Sequence, residues 1–191
     1  FRNRTFDLYS ELVTQSRGRL IVLPESAFPV FSDEVPDAVL LHIRRAAAAR
    51  DGDALDGMFT ADPPLPGSGE MRYYNSVLSL GAGELQLYRK RHLVPFGETI
   101  PADAVLGWFI RNVLSIPLAN QSAGAPDQPP LKVAGQAVAV NICYEDAFGA
   151  EAGVFCHARH FLGDPLVVVH IMQADTGGII GSLRGLHLPG Q

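Results

Sequence analysis

Charge is scarce in these 191 residues: 18% are Asp, Glu, Lys or Arg, against 47% hydrophobic. That balance excludes disorder and fits one domain with a sizeable core. The formal net charge is −5, and the basic residues are dispersed apart from "YRKRH" at 88–92, so no nucleic-acid surface is expected. Cysteine is rarer still. Cys143 and Cys156 are too few for a disulfide framework and leave the redox compartment undetermined. No stretch reaches the roughly 18 uninterrupted apolar residues that suggest a membrane span. No signal peptide is visible, and "FRNRTFDLYS" reads as the interior of a longer chain. The six histidines make no HxH or HExxH spacing and the cysteines no CxxC, so no metal is expected. Cys156, His157 and His160 mimic a Cys/His cluster but read as helix or loop filler.

What is present alternates between helical and strand patterns. "TFDLYSELVTQS" (5–16) puts Phe6, Tyr9 and Val13 on one helical face with Leu8 and Leu12 beside it. "RLIVLPES" (19–26) reads as a short buried strand stopped by Pro24. "VPDAVLLHIRRAAAAR" (35–50) reads as a helix with Pro36 in its first turn. "ALDGMFTA" is a candidate strand, and "YYNSVLSL" and "ELQLYRK" flank Gly81-Ala82-Gly83 as a hairpin. The loop composition of 120–130 leads into "LKVAGQAVAVNICYE", one or two strands ending at Cys143. Helices between buried strands indicate an α/β layered domain, and the hairpin predicts a mixed rather than a purely parallel sheet.

Three chemically active residues close strands. Glu25 follows the strand of "VLPES", Lys90 ends "LQLYRK" and Cys143 ends "AVAVNIC". A thiol, a carboxylate and an ammonium make an acyl-transfer set. The thiol attacks a carbonyl, the carboxylate takes its proton, and the ammonium stabilises the oxyanion while lowering the thiol pKa. Each also has a plain reading: a loop or cap residue, a solvated strand-end charge, and a packed core thiol. "VAVNICYEDAFG" sets Glu145 and Asp146 beside the cysteine, two and three residues on, which suits a nucleophile better than core filling.

"LPES", "YRKRHLVPFGE" and "ICYEDAFG", in that order and spacing, resemble the nitrilase, or carbon–nitrogen hydrolase, superfamily. More closely they resemble its apolipoprotein N-acyltransferase branch, whose extended lysine segment is matched by "KRHLVPFGE". "YYNS" at 73–76 resembles the family strand before the lysine. The likeness is strong over 20–149 and weak after 150. It implies a partial αββα sandwich with a mixed sheet, as a single incomplete catalytic domain over 1–191. It further implies a catalytic triad of Glu25, Lys90 and Cys143, with supporting roles for Glu98, Tyr144 and Glu145. The implied reaction moves a fatty acyl chain from a phospholipid donor, through a Cys143 thioester, to the N-terminal amine of a diacylated apolipoprotein acceptor. No cofactor is implied. The implied place is the periplasmic face of the bacterial inner membrane.

"ADAVLGWFIRNVLSIPLA" (102–119) is very apolar for a segment adjoining a site. It reads either as a core helix or as a lid whose Trp108 and Phe109 dip into the membrane surface. The branch carries transmembrane helices around its catalytic domain and a first catalytic strand ahead of the 5–16 helix; neither is present here. Where an Asn- and Trp-containing motif is expected, the chain reads "VVVHIMQADTGG", still compatible with a strand over "DPLVVVHIM". These departures imply a fragment or truncated copy. Two other functions are therefore carried forward: a soluble nitrilase-type amidase with water as acceptor, and a non-catalytic remnant.

Overall fold

The computed structural model describes residues 2–64, 66–67, 71–95, 98, 121–148, 166–172 and 183–184. Helix α1 (Arg2–Gln15) leads into β1 (Leu20–Val22), α2 (Asp37–Ala48), β2 (Asp53–Asp62), β3 (Arg72–Gly81) and β4 (Leu87–Arg89). A second group follows: β5 (Leu131–Val133), β6 (Gln136–Ile142), β7 (Leu166–Ile171) and β8 (Leu183–Arg184). Each group forms one four-stranded sheet, ordered β1-β2-β3-β4 and β5-β6-β7-β8. Both sheets are mixed. β1 runs parallel to β2 and β6 parallel to β7, while the remaining pairs are antiparallel.

Side-chain alternation along the first sheet builds two cores. Ala54 and Met58 of β2, with Leu78 and Leu80 of β3, bury against Phe6, Tyr9 and Val13 of α1 and Ile43 and Ala47 of α2. The opposite face of the same strands, Leu55 and Val77 with Tyr88 of β4, meets Val138, Val140 and Ile142 of β6 and Val169 and Ile171 of β7. The described residues thus form three layers, helices on a sheet on a sheet. The amphipathic reading of α1 holds for Phe6, Tyr9, Val13 and Leu12, but Leu8 is 46% exposed. Pro36 stands at the N-cap of α2, one position before its first turn. The three-residue strands β4 and β5 and the hairpin at 81–83 follow the expected pattern, and "DPLVVVHIM" does contain a strand.

One buried carboxyl interrupts the helix-facing row, where the other buried polar residues, Thr60 and Ser76, bond each other. Asp56 is fully buried, and both its carboxylate oxygens lack a hydrogen-bond partner among the described residues. Burial pushes its pKa well above the usual carboxylate value of 3.8. A carboxyl whose folded pKa is raised is bound more tightly by protons in the folded chain. Its favourable state is therefore fully present below the unfolded pKa and lost as pH rises through the folded value. Asp56→Asn should raise stability at neutral pH by on the order of 1–3 kcal/mol. The gain should shrink towards zero as urea melts are repeated down to about pH 4.

Candidate active site

Glu25, Lys90 and Cys143 meet at the edge of the inter-sheet core. Lys90 follows β4, its N–H donating to the Asn75 carbonyl at 2.8 Å. It lies two residues after Tyr88, so its side chain points to the same inter-sheet face. Glu25 reaches that face because the chain after β1 crosses over β2 at Gly57. A Cβ on Gly57 would stand 2.6 Å from the Pro24 carbonyl oxygen and 2.9 Å from Glu25 Cα, so no larger residue fits there. The Glu25 N–H donates to the Met172 carbonyl beyond β7 at 3.0 Å, tying the two sheets together beside the site. Cys143 arrives from the second sheet, at the step from β6 into the 3-10 turn Cys143–Phe148. Its φ is 50°, and that of Ser26, next to Glu25, is 53°. Non-glycine residues in this region store on the order of 1–3 kcal/mol of strain each, here at Cys143 itself and next to Glu25.

The charges are closely ordered. Lys90 is 0% exposed, and its Nζ lies 2.7 Å from Glu98 Oε1 and 3.9 Å from Glu25 Oε1. Glu98 is held in turn, its Oε2 accepting the Val94 N–H at 2.9 Å. Glu25 Oε1 accepts Asn75 Nδ2–H at 2.6 Å, and the Glu25 carboxylate is also hydrogen-bonded to the Cys143 thiol. Burial raises the Glu25 pKa, opposed by the Lys90 charge and the bonds from Asn75 and Cys143. The Cys143 pKa is raised too, first by burial and then by Glu25, with Lys90 pulling the other way. Lys90 does lower the thiol pKa, as expected of a neighbouring cation, but burial and Glu25 outweigh it. Two carboxylates flank the one ammonium, so a thiolate would add a further negative charge to a site already carrying an excess of one. The surroundings thus favour the protonated thiol, with the Glu25 carboxylate beside it.

Glu145 does different work. It is buried, and its Oε1 accepts from the Arg91 N–H at 2.7 Å, the His92 N–H at 3.2 Å and the Tyr88 hydroxyl at 3.0 Å. Its Oε2 accepts the Ile142 N–H at 2.9 Å. One carboxylate thus joins the chain just after Lys90 to the chain just before Cys143. Tyr88 has a raised pKa, from burial first and the Glu145 charge second, so it stays a hydroxyl donor. Tyr144 contributes its backbone, hydrogen-bonded to the Cys143 sulfur, while its side chain is 39% exposed. The Asp146 side chain and the Trp108 and Phe109 segment, with Cys156, lie outside the described residues.

Asn75 is a site residue that motif reading passed over, although it stands inside "YYNS". It is 2% exposed and binds the Lys90 segment through its carbonyl and Glu25 through its side chain. The available signal was a lone amide in a strand that is otherwise buried and apolar from Val77 to Leu80, save for serine.

A buried Glu–Lys–Cys group where two mixed sheets meet defines a protein of the nitrilase, or carbon–nitrogen hydrolase, fold. Solved structures carry the same architecture at 13–14% identity. A carbon–nitrogen hydrolase from Helicobacter pylori matches with a TM-score of 0.54 over 95% of this chain and 74% of its own. A Saccharomyces cerevisiae member of branch 10 of the nitrilase superfamily gives 0.54 over the same shares. In sequence, the likeness is to apolipoprotein N-acyltransferases. That of Nitrosomonas europaea is 50% identical over 147 residues, 77% of this chain, and that of Chromobacterium violaceum 41% over 143 residues, 75% of this chain. The chain spans only 28% and 27% of the lengths of these two relatives. No protein-family model matches it.

Proposed function

We propose that this chain is the catalytic portion of an apolipoprotein N-acyltransferase working through a Cys143 thioester. The observation that carries the reading is the thiol–carboxylate–ammonium group of Cys143, Glu25 and Lys90 in one buried site, in a chain 50% identical to a protein of that name. As Cys143 Sγ attacks the ester carbonyl of a phospholipid, its proton passes to Glu25. The oxyanion forms beside the Lys90 ammonium and the Tyr144 N–H, both fixed before the reaction begins. Collapse expels the glycerol oxygen, which takes the proton back from Glu25 and leaves as lysophospholipid. The α-amine of a diacylated N-terminal cysteine then attacks the thioester and gives its proton to Glu25. The amide leaves, and the thiol is restored with that proton. Net charge in the site is unchanged at each transfer, which suits a buried site. Glu98 and Glu145 hold Lys90 and the nucleophile in register without touching substrate.

The test is to incubate the chain with phospholipid vesicles, digest it, and weigh the Cys143 peptide. An added fatty acyl mass on that peptide supports the reading. Release of ammonia from small amides with no acyl adduct would favour the amidase instead. A chain doing neither, with Cys143 no more reactive than Cys156 towards a thiol probe, would be the non-catalytic remnant.

The same reading places the chain at the periplasmic surface of the bacterial inner membrane, with 102–119 as its contact. Among the described residues no helix is long and apolar enough to cross a membrane. Insertion of two or three large apolar side chains, each worth about 1.5–3 kcal/mol, is enough for interfacial binding. Trp108 is the single tryptophan. Its emission should shift to the blue on addition of phospholipid vesicles, and Trp108→Asp with Phe109→Asp should weaken vesicle sedimentation. Emission already blue in buffer and unmoved by lipid would make the segment core.

A further inference from the structure

Beside the catalytic group lies a set of aromatic side chains that the chemistry above does not use. Strand register locates it. Phe59 of β2 is directly opposite Asn75 of β3, and Lys90 bonds back to Asn75, so Phe59, Asn75 and Lys90 form one row across the first sheet. All three face the side on which Leu55, Val77 and Tyr88 meet the second sheet. Phe59 therefore stands about 10 Å from the Lys90 backbone, two strand spacings away. Glu25, bound to Asn75, lies along the same row.

From Phe59 the apolar surface continues outward. Tyr73 opposes Ala61 in the next pair along that face. Phe31 bridges to Phe59, and its ring sits 6.2 Å from that of Phe59 and 5.2 Å from that of Tyr73, tilted in both cases. The three rings are half-buried. The backbone beneath them is fixed: Ser122 N–H donates to the Tyr73 carbonyl at 2.7 Å, and Tyr73 bridges Gln121. Half-buried aromatic rings, continuous with a site whose charged groups are engaged with one another, leave apolar area for something that arrives with the substrate. The acceptor's reacting amine gains nothing from it, whereas an aliphatic chain does. Of the chains brought by the donor and the diacylated acceptor, the one tethered to Cys143 is held beside this row.

We propose that Phe31, Phe59 and Tyr73 form a shelf that takes the aliphatic tail of the acyl group carried on Cys143, and so set its chain-length preference. This rests on the reading of Cys143 as the acyl carrier, and the experiment separates the two. In the first arm, Cys143 is labelled with N-ethylmaleimide and N-hexylmaleimide, whose ring adds the thiol across its double bond whether or not the chain is an acyltransferase. Peptide mapping distinguishes Cys143 from Cys156. Relative to the same two probes on free glutathione, the hexyl reagent should be favoured at Cys143 by roughly tenfold, as expected for part-burial of four methylenes. Phe59→Ala with Phe31→Ala should return the ratio to the glutathione value. Thermal unfolding of each variant is the control, because an unfolded chain would expose Cys143 and give the glutathione ratio whether or not the shelf exists. Phe59→Leu, which retains apolar area, should keep most of the preference.

In the second arm, dioctanoyl and dipalmitoyl phosphatidylethanolamine in the same detergent micelles are compared as donors by the acyl mass on Cys143. The double variant should lose the longer chain by a similar factor. A hexyl-to-ethyl ratio equal to that of glutathione in the parent chain, or unchanged in the double variant, overturns the shelf. A hexyl preference that the variants abolish, without acyl adduct from either lipid, upholds the shelf and overturns the carrier.

Discussion

Cys143→Ala should take up no acyl chain from phospholipid, and turnover should fall by about 10⁴- to 10⁶-fold, the range seen when a covalent nucleophile is removed. The geometry behind this is specific. Among the described residues, the Cys143 thiol is hydrogen-bonded to a carboxylate, Glu25, while interacting with the Lys90 ammonium. No oxygen nucleophile substitutes well. In Cys143→Ser the hydroxyl is harder to deprotonate than a thiol, and its base is the same single carboxylate. The measurement is the mass of the 143 peptide after exposure to lipid, with thermal unfolding as the control for fold. The variant side chain is smaller and sits at a half-buried position, so the fold should persist. Undiminished adduct in the alanine variant, or adduct on the Cys156 peptide, would move the nucleophile elsewhere.

Much of this arrangement was legible before any coordinates. Period-3.6 spacing named Phe6, Tyr9 and Val13 as the buried face of α1, and Gly81-Ala82-Gly83 marked the β3–β4 hairpin. Strand ends named Glu25, Lys90 and Cys143 as candidates, and the structure brings them together. What spacing cannot carry is the pairing of distant segments. Periodicity says that Leu55 and Ala54 face opposite ways, but not that one meets a second sheet and the other two helices. It does not place Glu25 over Gly57, because that contact depends on how far the chain after β1 swings across its neighbour.

The net electrostatic balance at Cys143 is hidden from the sequence for a related reason. Lys90 next to Cys143 suggests a lowered thiol pKa when only two residues are considered. The folded site adds burial and two glutamates, and their sum reverses the sign. Asp56 was likewise invisible as a strained charge, since "ALDGMF" reads as a strand with one polar position, and only the helices on that face leave its oxygens without partners. Asn75 escaped for the opposite reason. An amide in a strand is ordinary until its two bonds, to Glu25 and to Lys90, are seen to come from the same residue.

Lys90→Met should be the most damaging substitution that leaves the nucleophile in place. Methionine nearly matches the volume of the lysine stem, so the loss is of charge rather than of side-chain bulk. Lys90 is 0% exposed and stands 2.7 Å from Glu98 and 3.9 Å from Glu25, whose side chains are 15% and 10% exposed. Removing one partner from such a buried group typically destabilises by about 3–5 kcal/mol, because the charges left behind are uncompensated. Burial has already raised the Glu25 pKa, and Lys90 is the largest influence holding it down. Without Lys90 it rises further. A carboxyl with a raised folded pKa stabilises the fold below its unfolded pKa and loses that contribution as pH rises through the folded value. The instability of Lys90→Met should therefore be greatest at neutral pH and above, and should ease as pH falls towards the ordinary glutamate value of 4.5. Urea melts across that range measure it. In the same variant the oxyanion loses its cation, worth about 10²–10³ in rate for a single preorganised donor. Acyl uptake on Cys143 should drop by at least that factor even at a pH where the fold has recovered. A variant as stable as the parent at neutral pH would mean that the two glutamates are not charged together. Acylation at the parental rate would mean that the ammonium does not face the oxyanion.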